Sequence, residues 1–247
     1  MILTLCTAEE TLQILLSSNG QILEFSSQVS AGRMNETMAP AVAALLTRHG
    51  DSPSTPLLAA VACVRGPGSF TGVRLGLAFA TGLCLARQIP LAGLDYLPLL
   101  AASAPEGSGE IHVITHSRAN KVYHQSFLLT PSAPPAALTP ARDLAIPAAL
   151  TLIADRARAT RVAILGSGLT RNPEAFADIP GTATRLPIQN PTPQALLAAT
   201  QTARYDGPPI EALYLRGSDA EENLAAIASG RGLTEAEARV RMERALK

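Results

Sequence analysis

One stretch, RGPGSFTGVRLGLAFATGLCLA at residues 65–86, limits what this chain can fold into more than any other. Three glycines and a proline crowd into residues 66–72, and a long apolar segment carrying a single charge, Arg74, follows at once. Glycine and proline at that density mark a tight turn. A helix apolar on nearly every side must then be covered on nearly every side. Upstream, residues 57–64 form a continuous apolar run of the kind expected for a strand buried on both faces. That run delivers the chain into the loop.

The same patterns extend along the chain. Residues 2–6 and 11–17 read as strands, and Asn19-Gly20 followed by residues 21–29 is a type I′ hairpin signal. Residues 35–48 read as a helix, since Met38, Val42, Leu45, Leu46 and His49 recur at helical spacing, with Pro40 near its start and Gly50 to close it. A helix at 71–87, a short strand at 89–94 and a helical piece at 97–103 complete the first half. Residues 104–110 turn small and polar, which predicts a boundary between segments 1–104 and 105–247. Beyond it come a hairpin at 111–117 and 121–129, a proline-rich loop, a helix near 143–159, a strand at 161–165, the loop Gly166-Ser167-Gly168 and a helix at 193–205. Strand pairs followed by α/β units therefore occur twice. Two similar α/β lobes, each a mixed sheet flanked by helices, fit better than one open doubly wound sheet. Residues 234–247 predict a last helix, with Thr234 as N-cap and Glu235 and Glu237 in its first turn.

Composition excludes several classes. Lys+Arg and Asp+Glu both number 20, so no net basic field gathers nucleic acid or anionic lipid. Aromatic content is 4% with no Trp, which argues against a base-stacking platform or a membrane-interface belt. Cys6, Cys63 and Cys84 sit in apolar surroundings without metal or redox spacing, as expected for buried reduced thiols of a cytoplasmic protein. The N-terminus lacks a basic lead-in and carries Glu9 and Glu10, so no export is expected. The longest apolar span, 73–86, is shorter than the roughly 20 residues a bilayer needs and contains Arg74.

The loop residues Gly66, Gly68, Ser69, Thr71, Gly72 and Arg74 allow two readings. They form either a phosphate-type nest ahead of a helix or a tight turn whose Ser69 or Thr71 caps that helix. The P-loop lysine and the dinucleotide glycine spacing are both missing. A serine elbow at Ser69 fails, because Pro67 and Thr71 stand where glycines are needed. His112 and His116 share a strand face roughly 13 Å apart, too far for one ion. His116 and His124 are expected to approach across the hairpin through strand pairing, not as ligands. No catalytic or metal residue is assigned. In the helix, Gly72, Gly76 and Ala80 form one small-residue stripe and Ala78, Gly82 and Ala86 another, with Leu75, Phe79 and Leu83 as a ridge between them. The helix is either buried within its lobe or completed by another subunit, together with the helix of Met38, Val42, Leu45 and Leu46. The candidate interface is therefore Met38, Val42, Leu45, Leu46, Leu75, Gly76, Phe79 and Leu83.

GPGSFTGVRLGLAFATGLCLA closely resembles the signature of the bacterial TsaB (YeaZ) family of tRNA threonylcarbamoyladenosine biosynthesis proteins, within the Gcp-like, M22 peptidase-like group. Weaker matches are ILTLCTA at the start, SRANKVYHQSF at the second hairpin, LGSG at 165–168 and ALYLR at 212–216. The resemblance implies two ribonuclease H-like lobes of the actin, Hsc70 and sugar kinase fold. It also implies a non-catalytic partner of a paralogue, TsaD, which transfers threonylcarbamoyl to adenosine 37 of tRNAs reading ANN codons. TsaE belongs to the larger assembly, and tRNA is reached through the complex. The chain departs from the family at three places: Cys6 where Asp is usual, Asn35 where His is common, and His116 where the second hairpin usually has Asp. Phosphate-facing charge is thereby largely removed, since a thiol cannot hold hydrated Mg²⁺ as a carboxylate does; no cofactor is expected. The alternatives are a kinase or peptidase-like enzyme of the same fold, or a homodimer through the same helices.

Overall fold

The structure, a computed structural model, describes residues 1–179 and 182–216 together with Ala228, Thr234 and Glu237. The first sheet grows from a hairpin meander. Strands β1 (Ile2–Cys6), β2 (Thr11–Ser18) and β3 (Gln21–Val29) pair antiparallel. Asn19 and Gly20 both take positive φ, 49° and 76°, as the type I′ turn requires. Helix α1 (Met34–Arg48) leads to β4 (Ala60–Gly66), the glycine loop, α2 (Phe70–Arg87), β5 (Leu91–Asp95) and α3 (Tyr96–Ala101). Strand β4 inserts parallel to β1, and β5 parallel to β4, giving the order β3-β2-β1-β4-β5.

The second half repeats this plan. Strands β6 (Gly109–Arg118) and β7 (Lys121–Leu129) form an antiparallel hairpin, and short β8 (Ala136–Ala137) and β9 (Arg142–Ala145) both pair with β7. Helix α4 (Ile146–Ala159) then leads to β10 (Val162–Leu165), α5 (Ser167–Arg171) and β11 (Ala183–Arg185). Strand β10 pairs parallel with β6 and with β11. Each sheet thus sets an antiparallel hairpin beside parallel strands, the duplicated ribonuclease H-like topology expected from the resemblance.

Helix α6 (Pro193–Thr202) returns to the first sheet, where Thr200 Oγ1 lies 2.7 Å from Thr4 Oγ1. Both α1 and α6 pack against β2, and all six of its central residues are buried. The core of the second sheet is Ile114, Val122 and Ile164 beneath the Ala149, Ile153 and Ala157 stripe of α4, closed by Phe176. Residues Met1–Leu213 form one compact unit and Tyr214–Lys247 a second. Within the second, Thr234 and Glu237 exchange hydrogen bonds as a capping box, Thr234 N to Glu237 Oε2 at 2.9 Å and Glu237 N to Thr234 Oγ1 at 3.3 Å. The rest of the helix expected at 234–247 lies outside the described residues.

Candidate functional site

The glycine loop presses against the turn at residues 7–10. The Ser69 N–H donates to the Ala8 carbonyl at 2.7 Å, and the Ser69 hydroxyl accepts from Gly72 N at 3.2 Å as the N-cap of α2. Two of the backbone N–H groups that a phosphate would draw on, those of Ser69 and Gly72, are thereby engaged within the chain. A Cβ on Gly68 would collide with the Ala8 carbonyl oxygen, one on Gly72 with the Thr7 carbonyl oxygen, and one on Gly76 with Thr7 Oγ1. These glycines exist for close approach. Gly66 has φ +109°, open to glycine alone. Thr71 is exposed, and the exposed Arg74 lays its guanidinium over the Phe70 ring at 3.7 Å.

The two small-residue stripes of α2 therefore have different fates. Gly72, Gly76 and Ala80 are buried together with Val73, Leu77 and Cys84. Ala78, Gly82 and Ala86 are exposed beside Leu85, which is 64% exposed, and no atom lies within 4 Å of a Cβ built on Gly82. Leu75, Phe79 and Leu83 are half-buried along the border. Met38, Val42, Leu45 and Leu46 of α1 are buried inside the chain, as is Gly76. For these five the placement differs from the interface expected, because the sheet and the Thr7 turn take that side of both helices.

Of the three departures, Cys6 is buried and its thiol is pushed up to about 12 by desolvation, so it carries no charge near neutrality. Asn35 is exposed at the start of α1, in the wall of a cavity of about 470 Å³ that also touches Glu9, Glu10, Ser69 and Gly72. His116 is half-buried, and its backbone N–H donates to Ser167 Oγ at 3.0 Å.

Sequence reading missed Glu9, noticed only as a charge in the apolar lead segment. Its Oε1 accepts from Ser167 Oγ at 2.6 Å. Part of the residue remains at the surface while the carboxyl reaches inward, and desolvation there raises its pKa to about 7 against the lowering pull of Ser167 and Arg171. Two carboxylates placed just past the end of β1, Glu9 and Glu10, were the available signal.

The histidine pairing differs from expectation as well. His116 stands opposite Val122, whereas His112 stands opposite Ser126 and meets His124 diagonally, Nδ1 to Nε2 at 2.9 Å. Arg156 clamps Glu110 through two hydrogen bonds of 2.8 and 2.5 Å, and Glu110 Oε1 lies 3.2 Å from His112 Nε2. Ionised Glu110 accepts from His112 Nε2–H, which leaves Nδ1 to accept from His124 Nε2–H. Desolvation lowers both histidines, His124 to about 4. A histidine lowered on folding contributes stability that is complete above its unfolded value of 6.5 and is lost as pH falls toward the folded value. Thermal melts should therefore decline between pH 6.5 and about 4, and His124→Phe should flatten the upper part of that decline. An unchanged slope in the variant would show that the pair does not titrate in this way. Among the described residues no three His, Cys, Asp or Glu side chains converge as metal ligands, and no helix is long and apolar enough to cross a membrane.

Comparison with known proteins gives this geometry a family. A family model described as "TsaD: tRNA N6-adenosine threonylcarbamoyltransferase" matches residues 28–155, just over half of the chain. The chain belongs to that family. Within it the relatives are of TsaB (YeaZ) type. "tRNA threonylcarbamoyladenosine biosynthesis protein TsaB" of Escherichia coli (strain K12) is 32% identical over 124 residues, covering 49% of this chain and 52% of that protein. The protein of the same name from Bacillus subtilis (strain 168) is 33% identical over 123 residues, with the same coverage. The chain spans about half the length of the curated relatives it matches. A solved structure from Pseudomonas aeruginosa, described as similar to peptidase YEAZ, superposes with a TM-score of 0.67 at 24% identity, covering 87% of this chain and 99% of its own. YeaZ from Pseudomonas aeruginosa gives 0.64 at 24% identity over 81% and 90%. The duplicated fold is shared with both.

Proposed function

We propose that this chain is a non-catalytic scaffold that binds a TsaD-type paralogue through α2 and supports threonylcarbamoylation of adenosine 37 in tRNAs reading ANN codons. TsaE joins the larger assembly, and tRNA is met through the complex, in keeping with equal numbers of acidic and basic residues. The observation that carries the reading is the outward face of α2, where Ala78, Gly82, Leu85 and Ala86 are exposed with Leu75, Phe79 and Leu83 half-covered. Small residues there let a second helix approach closely. The inward stripe fixes the helix to the Thr7 turn, so the glycine loop acts as architecture for the outer face. Segments 1–104 and 105–247 form the two lobes of this reading, and no residue is given a catalytic part.

Reconstitution decides it. With a TsaD paralogue, TsaE, tRNA and threonylcarbamoyl-adenylate, modified tRNA should form when this chain is present and fall at least ten-fold when it is omitted. The chain alone should hydrolyse no ATP, because Cys6 stays a neutral thiol. ATP hydrolysis by the purified chain that disappears in Ser69→Ala would favour the kinase-like reading instead.

A further inference from the structure

The outward face of α2 carries a cation. Thr71, Arg74, Ala78, Gly82 and Leu85 are exposed along it at helical spacing, and Arg74 is the only charged residue in 70–86. Its guanidinium lies over the half-buried Phe70 ring, 3.7 Å from the ring centroid. A ring face restrains a guanidinium without saturating its five N–H donors. The residue is exposed all the same, so part of that donor set faces the solvent where a partner docks.

Covering this face changes the demands on Arg74. A guanidinium pressed beneath an apolar helix loses its water, which is costly unless an acceptor of opposite charge meets it. The two helices here do not supply one: α2 has no carboxylate, and that of α1, Glu36, is paired with Arg33 at 3.1 Å. Glu9 and Glu10, which share a cavity wall with Thr71, are held by Ser167 and Arg171. Since α2 also lacks an acidic residue in its first turn, its N-terminal dipole adds to the attraction for a negative group. We propose that Arg74 fixes the orientation of the partner on α2, and that the TsaD-type partner meets it with an aspartate or glutamate carboxylate. The inference rests on the partner reading above and supplies the chemistry of its contact.

A second copy of α2 fits this site poorly. Packed antiparallel about Ala78 and Gly82, it sets Arg74 against the Ala86 and Arg87 end, and packed parallel it sets Arg74 against Arg74; neither brings a carboxylate. Phosphate is the other common partner of a guanidinium. Nucleic-acid backbones, however, are held by several cations acting together, and here a single one stands among uncharged neighbours. An acidic protein side chain is the better match. Arg74 lies about 12 Å along α2 from Gly82, so the carboxylate belongs near one end of the helix-to-helix contact and the closest approach falls away from it.

Titration calorimetry against the TsaD paralogue of the same organism tests the contact. Arg74→Ala should weaken affinity at least about ten-fold and Arg74→Glu at least about 100-fold, with melting temperatures within about 2 °C of the native chain because the side chain is exposed. Arg74→Lys should recover only part of the loss, since an ammonium lacks the planar fork. Charge reversal of one acidic residue on the paralogue should restore binding to Arg74→Glu, a rescue that a purely structural role of Arg74 cannot produce. Native affinity in Arg74→Ala and Arg74→Glu, with Gly82→Arg weakened, would overturn this contact and leave the partner reading standing. No binding of the paralogue by the native chain would overturn both. Variants that keep paralogue affinity but lose tRNA retention by the complex would assign Arg74 to phosphate, and variants that lose only self-association would assign it to a second copy; either result overturns the proposal. The native chain gives an independent check should a variant fail to fold: its affinity should drop at least about five-fold between about 50 and 500 mM salt, and an affinity independent of salt would contradict the contact.

Discussion

Gly72→Ala is expected to lower the melting temperature by about 10 °C. The new methyl group would lie on the Thr7 carbonyl oxygen, a backbone atom in a turn already fixed by the Ser69 N–H to Ala8 carbonyl hydrogen bond. Neither side can yield without loosening the Ser69 cap of α2, so overpacking should cost about 3 kcal/mol, which in a chain of this size is roughly 10 °C. Gly82→Ala provides the contrast within one helix. Nothing lies within 4 Å of a Cβ there, so only the backbone entropy of glycine changes. The alanine should stabilise by about 0.5–1 kcal/mol. Differential scanning calorimetry of the two variants checks this, and shifts of equal sign and size would mean that the two stripes of α2 are wrongly placed.

That opposition also shows where sequence reading stops. The strands at the start, the Asn19-Gly20 hairpin, α1 and α2 were legible because each has either strong periodicity or turn chemistry. The two stripes of α2 were legible too, yet they are chemically alike, and only the position of Thr7 decides which one the chain covers. Strands β8, β9 and β11, with two to four residues each, are too short to carry a period. The return of α6 to the first sheet depends on contacts such as Thr4 with Thr200, separated by 196 positions, which no local pattern encodes. The histidine pair needed the strand register, in which His112 faces Ser126 and so reaches His124 on the diagonal. Glu9 is part of a turn whose meaning comes from Ser167, 158 residues away.

The central claim is that the outer face of α2 holds a TsaD-type partner, and Gly82→Arg tests it most directly. Gly82 is exposed and its side-chain space is empty, so an arginine there has room in the isolated chain and improves helix propensity. Against a closely packed partner helix the same side chain must displace that helix or bury its charge in an apolar contact. Titration calorimetry of the variant against the TsaD paralogue of the same organism should show affinity weakened at least about 100-fold, near 2.7 kcal/mol. The melting temperature should stay within about 2 °C of the native chain. Self-association of the native chain that Gly82→Arg abolishes while paralogue binding is unchanged would assign the face to a homodimer. Native affinity in a folded Gly82→Arg variant would contradict the account.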